Sequence, residues 1–487
     1  MTGLRKPRTG NLSAMTDMEQ VARDEWRAMP AERYLVVTDP AGDDEVVRAP
    51  VAGPDAVADA VKAARAAAPD WARTPAAERA AMVAAAADTV AAHADDLARL
   101  TTREMGKPLG DARGGVAAGV GTLRQYAELG PLHRGRSLNG SPGAADLMVY
   151  EPRGVVAAIT PWNDPVAVSC GLLGAALVTG NTVVYKPSER TPATGWLLAR
   201  LTSGHLPEGV LTLVVGDGRT GAQLVDQPVD VVAQVGSTAT GQAIARACAG
   251  RPVKVLLENG GKDPLVVDAG VDSDWAAGQA ALGAFANAGQ ICVSVERIYV
   301  HADVAEAFTA ALVARAEALR TGPGLDPSTE LGPLVDRRQR ASVHGHVEAA
   351  VAAGARLLTG GRVPDGPGAF YPATVLADCT DDMAVMREET FGPVAPVAVV
   401  GSFDEGLRRA ARCGYGLAAT VLTRDMAHAH HAWRELPVGT VKVNSVFGGA
   451  PGGAAHPRGV SGQGYGYGPE LLDELTYTKV VHLAPPG

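Results

Sequence analysis

Cysteine is scarce in this sequence, and its placement excludes two kinds of site. The 487 residues include five cysteines, which lie far apart and never form a Cys-x-x-Cys pair. An odd number of scattered cysteines supports neither a disulfide framework nor a zinc site, and it is typical of a reducing compartment. We therefore predict a cytoplasmic protein without structural disulfides.

Long apolar runs and an excess of positive charge are also missing. The longest apolar run, from Gly171 to Val178, is too short to span a bilayer, and the stretch from Met1 to Gln20 has no apolar core of a signal peptide. The formal net charge of −9 argues against nucleic acid as a partner. These absences predict a protein that binds neither membranes nor nucleic acid.

A His-Glu-x-x-His signature of zinc proteases is absent too. The dense histidine cluster, His428-Ala-His-His431, follows a charged turn in a predicted surface helix. A solvated helix face accounts for this cluster without an ion, so we predict no metal site.

What the chain does have is a regular alternation of strand and helix patterns. Alanine-rich helices are predicted to start near Pro54 and Pro75. Helix-like stretches then separate five β-branched runs, which are Gly154–Ile159, Asn181–Tyr185, Leu211–Val215, Val229–Val235 and Val253–Leu257. This order predicts an α/β protein with a parallel sheet covered on both faces, whose ligands bind at the carboxyl ends of the strands.

The alternation restarts after Gly260, which predicts a second α/β domain. Its first strand is Pro264–Val267, its first helix Trp275–Asn287 and its next strand Arg297–Val300. A glycine- and proline-rich loop over 445–468 and a last strand over 475–483 complete the chain. A boundary at Gly260-Gly261 would place Glu258 and Cys292 on opposite sides of a cleft.

Cys292 and Glu258 are the leading candidates for chemistry. Cys292 follows Gly289-Gln290, and Glu258 ends an apolar strand and precedes two glycines. A partly exposed thiolate is a strong nucleophile, and glycines allow a substrate to approach the backbone. Taken alone, each residue also fits a plainer reading: a small buried hydrophobe for the thiol and a solvated strand end for the carboxylate.

Three segments together resemble the aldehyde dehydrogenase superfamily. Gly289-Gln-Ile-Cys292 is similar to its nucleophile segment, and Glu258-Asn-Gly-Gly to its base segment, where relatives usually carry Leu at the position of Asn259. Thr160-Pro-Trp-Asn163 is similar to its oxyanion segment, although an Asn between prolines also suits a simple turn. The resemblance implies that Cys292 attacks an aldehyde, Glu258 activates water, and Asn163 and the backbone N–H of Cys292 stabilise the oxyanion.

The same resemblance implies an NAD site. The implied cofactor-binding residues are Ile159, Trp162, Lys186, Ser188, Glu189, Gly218, Gly221, Gly236, Ser237, Glu389 and Phe391. Gly236–Gly241 starts a helix after a strand, which suits a pyrophosphate, although Gln234-Val235 replaces the usual Phe-Thr. A carboxylate at Glu189 favours a free ribose 2′-hydroxyl, so we expect NAD, with NADP as the alternative because Arg190 is adjacent.

The substrate tunnel is the part that departs most from the family. The residues implied to line it are Asp164, Ala167, Val168, Gly171 and Ala286. This set predicts a roomy tunnel poor in aromatic rings, and the arginines that bind carboxylate-tailed substrates are missing. Asp164 is either a counter-ion or hydrogen-bond acceptor for substrate, or only a cap of the next helix. The loop that usually reads Ser-Gly-x-Gly-Arg-Glu is Ser461-Gly-Gln-Gly-Tyr-Gly466 here.

The resulting hypothesis is oxidation of a bulky polar or amine-bearing aldehyde to a carboxylic acid with NAD(P)+ through a cysteine thioester. The alternatives are a CoA-acylating enzyme, which generally lacks the glutamate base, a catalytically silent scaffold, and a thiol hydrolase without a cofactor. The resemblance implies two Rossmann-like domains, at 19–130 with 151–259 and at 260–460. It also implies a β oligomerisation element at 131–150 with 470–487, in a homodimer or homotetramer.

Overall fold

Proline marks where several helices of this chain begin. In the computed structural model, which describes residues 18–449 and 453–486, Pro54, Pro165 and Pro192 each occupy the first position of a helix. Proline suits that position because its φ is already helical and its missing N–H would have no partner there. The helix predicted near Pro75 begins one residue later, at Ala76.

The helices of the described residues are α1 Met18–Arg27, α2 Pro54–Arg73, α3 Ala76–Ala92, α4 Ala94–Met105, α5 Leu109–Leu129, α6 Pro165–Val178, α7 Pro192–Ser203, α8 Gly218–Val225, α9 Thr238–Cys248, α10 Ser273–Phe285, α11 Ala302–Ala318, α12 Arg337–Ala352, α13 Ala384–Arg387, α14 Phe403–Ala410, α15 Met426–Glu435 and α16 Glu470–Glu474. Short 3-10 turns cover Gly130–Leu132 and Ala286–Gly289.

The strands are β1 Tyr34–Thr38, β2 Glu45–Pro50, β3 Arg136–Leu138, β4 Ala145–Pro152, β5 Val155–Ile159, β6 Thr182–Lys186, β7 Leu211–Leu213, β8 Val231–Val235, β9 Lys254–Glu258, β10 Asp263–Val267, β11 Val295–His301, β12 Arg356–Thr359, β13 Thr374–Ala377, β14 Val394–Val400, β15 Tyr415–Gly416, β16 Ala418–Leu422, β17 Thr440–Val443, β18 Arg458–Gly459, β19 Gly462–Gln463 and β20 Thr476–Leu483.

The first sheet has the order β19-β9-β8-β5-β6-β7 and is parallel except for β19. Its central strands β5 and β6 are buried along their whole length, because helices cover both faces. This burial explains why their sequences are continuous apolar runs instead of alternating ones. Each of the five predicted runs overlaps one strand of this sheet.

The second sheet has the order β12-β13-β14-β11-β10-β16-β17 and is parallel except for β12. A separate hydrophobic core surrounds it, built from residues between Leu265 and Val446. The core residues around the first sheet come from the chain up to Leu257 and, near the C-terminus, from Leu471, Leu472 and Leu475. The predicted α/β class with two parallel sheets is therefore confirmed. The chain passes from one sheet to the other between β9 and β10, at Gly260-Gly261.

A third, antiparallel sheet has the order β20-β4-β3, in which β20 pairs with β4 from Thr476↔Pro152 to Leu483↔Ala145. Strands β3 and β20 lie within the segments predicted to form an oligomerisation element, and β4 extends two residues beyond the first of these segments. The sequence patterns did not indicate α1, the β1–β2 hairpin, or the two-residue strands β18 and β19 inside the glycine-rich loop. Each is short or is held mainly by tertiary contacts, which leave little periodic signal.

Candidate active site

The carboxyl ends of the first sheet's strands bring the predicted residues of the cofactor side together. Ile159 ends β5, Lys186 ends β6 and Glu258 ends β9. In a parallel sheet these ends share one edge. Glu258 and Lys186 thus close their strands instead of following them, which shifts the predicted strand limits by one residue.

A left-handed turn delivers Cys292 to the junction between the two sheets. Asn287, Ala288 and Gly289 have φ angles of +50°, +54° and +69°. At Gly289 a methyl group would lie 2.1 Å from the carbonyl oxygen of Gly392, so only glycine fits there. The side chain of Gln290 locks the turn, because Nε2 donates to Asn287 O at 3.0 Å and Oε1 accepts from Val335 N at 2.9 Å.

Cys292 differs from most other cysteines of the described residues in its exposure. The residue is partly exposed, whereas Cys170, Cys248 and Cys379 are buried. Burial and then the negative charges of Glu258, Asp263 and Glu389 raise the pKa of Cys292 to about 12. In this state the cysteine is a neutral thiol at physiological pH, and it needs a base or a positive charge to become a nucleophile.

Asn163 lies beside the same turn. Its Nδ2 donates to Gln290 O at 3.1 Å, and Asn287 Nδ2 donates to Asn163 O at 3.3 Å. An amide nitrogen has two N–H groups, so one remains for an oxyanion next to Cys292. These contacts connect the β5–α6 loop of the first sheet to the turn that precedes Cys292.

The surroundings of Glu258 raise the pKa of its carboxyl group toward neutral pH. Burial raises the pKa of Glu258 to about 7, against the opposing effect of a hydrogen bond from the backbone N–H of Gly466. A carboxyl with a pKa near the working pH exchanges protons readily, which is the property of a general base. Its charge acts on the Cys292 thiol, so the two side chains share one site.

Lys186 lies under the edge where an adenosine ribose is expected. Its buried amine donates to Pro187 O and to Gly216 O, both at 2.8 Å. Burial lowers the pKa of Lys186, while the negative charges of Glu189 and Asp217 oppose that shift. An ammonium has three N–H donors, so one remains for a ligand. Ser188 is buried and places its hydroxyl 3.5 Å from Glu189 Oε2.

Two helix N-termini face the same edge. Gly218 is the first residue of α8, and a methyl group added there would meet no atom within 4 Å; at Gly221 it would lie 3.4 Å from Lys186 Cε. Gly236 precedes Ser237, the N-cap residue of α9, whose side chain accepts from Thr240 N. First-turn N–H groups have no partners within a helix. In α8 the Asp217 carboxylate already accepts from Arg219 N and Thr220 N, so the first turn of α9 is the better place for phosphate oxygens.

Glu389 and Phe391 approach this edge from the segment between α13 and β14 of the second sheet. Gly261 N donates to Glu389 Oε1 at 3.1 Å, and burial raises the pKa of Glu389 to about 8. Phe391, with φ +51°, makes an edge-on contact with Trp162 at 5.4 Å between ring centroids. The aromatic pair therefore connects the loop after β5 to the loop before β14.

A buried ion pair holds the segment that carries these two residues. Lys262 Nζ lies 2.7 Å from Glu296 Oε2, with side-chain exposures of 0% and 4%. The two carboxylate oxygens of Glu296 also accept the backbone N–H groups of Thr390 and Phe391, each at 2.8 Å. The pair is thus tied directly to the Phe391 turn.

Asp164 has a partner other than its own helix. It is the N-cap residue of α6 but makes no side-chain hydrogen bond to the helix, so the simple capping alternative does not describe it. Its Oδ2 lies 3.5 Å from Nζ of the buried Lys107. A methyl group at Gly115 would lie 2.4 Å from Asp164 Oδ1, so this glycine makes room for the carboxylate.

An aromatic ring lies beside Gly171, one of the residues predicted to line the tunnel. The closest atom to a methyl group added at Gly171 would be Tyr467 Cδ2, at 3.9 Å. The Tyr467 hydroxyl lies 3.1 Å from Gln125 Oε1 and 3.5 Å from Thr122 Oγ1. This ring comes from the loop after β19. The sequence shows that this loop differs from the family pattern, but it does not show where the loop lies.

The remaining tunnel residues are distributed around this region. Ala167 and Val168 are half-buried in the first turn of α6. Ala286 is half-buried and lines a cavity of about 670 Å³ together with Asp111 and Phe285. Partial burial raises the pKa of Asp111; the positive charge of Lys107 opposes this shift, and the negative charge of Asp164 adds to it. The cavity therefore adjoins the Asp164 side of the predicted tunnel.

The histidine cluster has an ordinary structural role. His428 Nδ1 lies 2.6 Å from Asp268 Oδ2, and its ring stacks on Phe403. Across residues 18–449 and 453–486, no group of three or more possible metal ligands comes together. Within that same part of the chain, no helix is long and apolar enough to cross a membrane.

Comparison with known proteins identifies the family. The model of the aldehyde dehydrogenase family matches residues 26–481. The 3,6-anhydro-alpha-L-galactose dehydrogenase of Streptomyces coelicolor is 40% identical over 424 residues, which cover 85% of each chain. A betaine aldehyde dehydrogenase of Cereibacter sphaeroides is 36% identical over 91% of this chain and 92% of its own.

Solved structures of aldehyde dehydrogenases also match this chain. An NAD-dependent aldehyde dehydrogenase from Sinorhizobium meliloti matches with a TM-score of 0.91, 33% identity and 94% coverage of both chains. Fold and relatives define an oxidoreductase of the NAD(P)-dependent α/β class. More specifically, the chain belongs to the aldehyde dehydrogenase family, which confirms the predicted enzyme class.

Several residues around the site were not predicted from sequence: Lys107, Gly115, Tyr467, Gly466 and Lys442. Burial lowers the pKa of Lys442, while the charges of Asp263 and Cys292 oppose that shift, so its ammonium lies near the thiol. The other four belong to no motif that sequence alone singles out, whereas Gly466 ends the altered loop segment that begins at Ser461. For Gly466, the missing Arg-Glu of the loop was the available signal.

Proposed function

We propose that this chain oxidises a bulky, hydroxyl-rich aldehyde to its carboxylic acid through a thioester on Cys292. The observation that carries the proposal is the pairing of the thiol of a partly exposed cysteine residue with a carboxyl group whose pKa is about 7, where the two α/β sheets meet. Covalent catalysis divides the oxidation into two easier steps.

In the first step, the Cys292 thiol releases its proton to solvent beside the Lys442 ammonium, and the sulfur attacks the aldehyde carbon. The free N–H of Asn163 Nδ2 and the backbone N–H of Cys292 stabilise the oxyanion. Loss of one such donor typically reduces the rate by about a hundred- to a thousandfold. As the oxyanion collapses, the carbon loses a hydride and becomes a thioester.

In the second step, Glu258 releases its proton to solvent and then takes one from a water molecule. The resulting hydroxide attacks the thioester carbonyl, the carbon–sulfur bond breaks, and the acid departs. A base with a pKa of about 7 is available for this step at neutral pH. The same base argues against the CoA-acylating alternative, in which CoA would replace water.

The residues of the first domain fit NAD+, which when bound supplies the hydride acceptor. Lys186 keeps a free donor for the ribose, Gly218 leaves open space at a helix N-terminus, and the first turn of α9 offers N–H groups for phosphate. Arg190 is engaged, since it lies 2.8 Å from Asp336 and stacks over Trp162. An engaged arginine beside a carboxylate favours NAD over NADP.

The substrate class follows from the polar groups along the predicted tunnel. Tyr467, Thr122 and Gln125 present a hydroxyl and amide surface beside Gly171. Asp164 is already paired with Lys107, so its charge is partly compensated and it suits a hydroxyl donor better than a free cation. The similarity to a dehydrogenase of 3,6-anhydro-alpha-L-galactose supports the same class.

The first experiment separates the two chemical steps. Cys292→Ala should abolish NADH formation, while Cys413→Ala, which alters another partly exposed cysteine, should retain it. Glu258→Gln should form at most one NADH per subunit and leave an acyl group on Cys292, detectable by intact-protein mass. Near-normal turnover by Cys292→Ala would refute the mechanism.

The second experiment tests the substrate class with glyceraldehyde, betaine aldehyde and hexanal. Tyr467→Phe removes one hydroxyl, and a hydrogen bond contributes about 1 kcal/mol net, so kcat/KM for glyceraldehyde should fall about five- to tenfold. The value for hexanal should stay within about twofold. A larger loss for betaine aldehyde in Asp164→Asn than for glyceraldehyde would instead favour an amine-bearing substrate.

A homo-oligomer is proposed through the third sheet. Strand β20 is an edge of that sheet and exposes Tyr477, Val480 and Leu483. An exposed apolar edge strand can extend into a sheet of a second subunit. Both a dimer and a tetramer fit this arrangement.

A further inference from the structure

The Glu258 side chain occupies the space that a side chain at position 466 would need. A methyl group added at Gly466 would lie 2.0 Å from Glu258 Cδ, 2.3 Å from Oε1 and 2.4 Å from Cγ. These are the three closest atoms, and all belong to Glu258. Contacts below 3.0 Å do not occur between real atoms of this kind, so an alanine and this Glu258 conformation exclude each other.

The backbone at Gly466 does not itself require glycine. Gly464 and Gly468, on either side, have φ angles of +77° and +82°, whereas Gly466 has no positive φ. An alanine at 466 would therefore be unstrained apart from its conflict with Glu258. Space for the carboxyl group, and not chain geometry, accounts for glycine at this position.

The loop that carries Gly466 is fixed to the strand that carries Glu258. Asn259 donates twice to this loop, from N to Ser461 O at 2.8 Å and from Nδ2 to Val460 O at 3.0 Å. Ser461 Oγ donates to Gly260 O at 2.8 Å, and Gly462 pairs with Glu258 between β19 and β9. These bonds prevent the loop from moving away to admit a side chain.

Two further groups border the space that the Glu258 carboxyl group occupies. The backbone N–H of Gly466 hydrogen-bonds to the Glu258 carboxyl group. Tyr126 lies close enough for the Glu258 charge to act on its hydroxyl, which donates to Gly468 O at 3.3 Å. The carboxyl group thus has a hydrogen-bond donor on one side and an aromatic wall nearby.

We propose that Gly466 is a positioning residue for Glu258: its missing side chain opens a slot, and its N–H holds the carboxyl group there. The proposal rests on the role of Glu258 as the base of thioester hydrolysis. Asn259, which stands where relatives usually have Leu, fixes the slot through its bonds to 460 and 461. A side chain at 466 would hold Glu258 in another rotamer, away from the N–H.

The test compares Gly466→Ala with Gly121→Ala. Gly121 is an exposed position of α5 where a methyl group meets no atom within 4 Å. With glyceraldehyde and NAD+, Gly466→Ala should keep a full first-turnover burst of NADH but lose about ten- to a hundredfold in steady-state rate, since a displacement of about 1 Å can cost a hundredfold. The acidic limb of its pH–rate profile should move below the wild-type midpoint, because the carboxyl group leaves a buried site. Gly121→Ala should match wild type.

A second background keeps the test decisive if Gly466→Ala folds poorly. In Glu258→Ala the conflicting atoms are gone, so adding Gly466→Ala should change the thermal midpoint by less than 1 °C. An equal loss of stability in both backgrounds, or a loss of burst amplitude together with steady-state rate, would show a general role in loop folding and overturn the proposal. An unchanged rate and pH profile in Gly466→Ala would overturn it as well.

Failure of the underlying mechanism gives a different result. If wild type shows no acyl group on Cys292, or if Glu258→Gln turns over at the wild-type rate, then Glu258 is not the base, whatever Gly466→Ala does. If those controls behave as expected and only the Gly466 variant is normal, the positioning role alone is wrong.

Discussion

Breaking the buried pair of Lys262 and Glu296 should destabilise the second domain more than any other single charge removal in it. The side chains are 0% and 4% exposed, with 2.7 Å between Nζ and Oε2. Burial lowers the pKa of Lys262, and the Glu296 charge opposes that shift. An unpaired Lys262 would therefore be a buried charge without compensation.

The magnitude can be worked from the contacts. Glu296→Gln keeps the shape but removes the charge, and removal of one partner from a buried pair costs about 3–5 kcal/mol. Both oxygens of Glu296 accept backbone N–H groups, from Thr390 and Phe391. Glutamine has only one acceptor oxygen, so one of these bonds is lost, at about 1 kcal/mol. The double variant Lys262→Met/Glu296→Gln removes the charge conflict and should recover most of the loss.

The assay is urea unfolding at pH 7.5, followed by circular dichroism and by tryptophan fluorescence, with midpoints compared at equal slopes. The single variant should lose about 4–6 kcal/mol in free energy of unfolding, and the double variant less than half of that. A single variant within about 0.5 kcal/mol of wild type, the usual range of neutral surface changes, would refute this reasoning. So would a double variant as unstable as the single one.

Three other predictions concern pH, the cysteine turn and assembly. Burial raises the pKa of Glu258 from 4.5 to about 7, so the contribution of Glu258 to the free energy of unfolding is full below pH 4.5 and is lost as pH rises through 7. Glu258→Gln cannot ionise, and in urea titrations its free energy of unfolding should therefore gain about 3 kcal/mol relative to wild type between pH 4.5 and pH 8. A constant difference between the two proteins would contradict the shift. Gly289→Ala should abolish activity and lower the thermal midpoint by several degrees, because its methyl group would lie 2.1 Å from Gly392 O; normal activity would show that the turn can rearrange. Val480→Asp places a charge on the exposed face of β20 and should reduce the mass measured by light scattering, whereas an unchanged mass would locate the subunit contact elsewhere.

Much of the fold was predictable because its signals are local. Continuous apolar runs such as Val155–Ile159 indicate strands buried on both faces, and proline marks helix starts at Pro54 and Pro165. Strand ends are shared edges in a parallel sheet, so Lys186 and Glu258 could be placed at one site before any coordinates. The N-terminal α1 and the hairpin β1–β2 were missed, since their stability comes from packing against distant elements.

The environment of each site residue was not predictable from spacing. Asp164 has Lys107 as its partner and Gly115 as the space for its carboxylate, and neither is near it in sequence. Tyr467 reaches Gly171 only because the loop after β19 folds back over α5 and α6. The expectation of a tunnel poor in rings stays a prediction.

By itself, the sequence determined the α/β class, the order of the strands along the chain, and the identity of the thiol and the carboxyl group, because these depend on periodicity and on short motifs. Only the tertiary structure decided what surrounds those groups: the recess that keeps Cys292 protonated, the slot over Gly466 that holds Glu258, and the buried pair behind Phe391. These depend on contacts between residues tens to hundreds of positions apart, and burial and electrostatic energy follow distance in space, not distance along the chain.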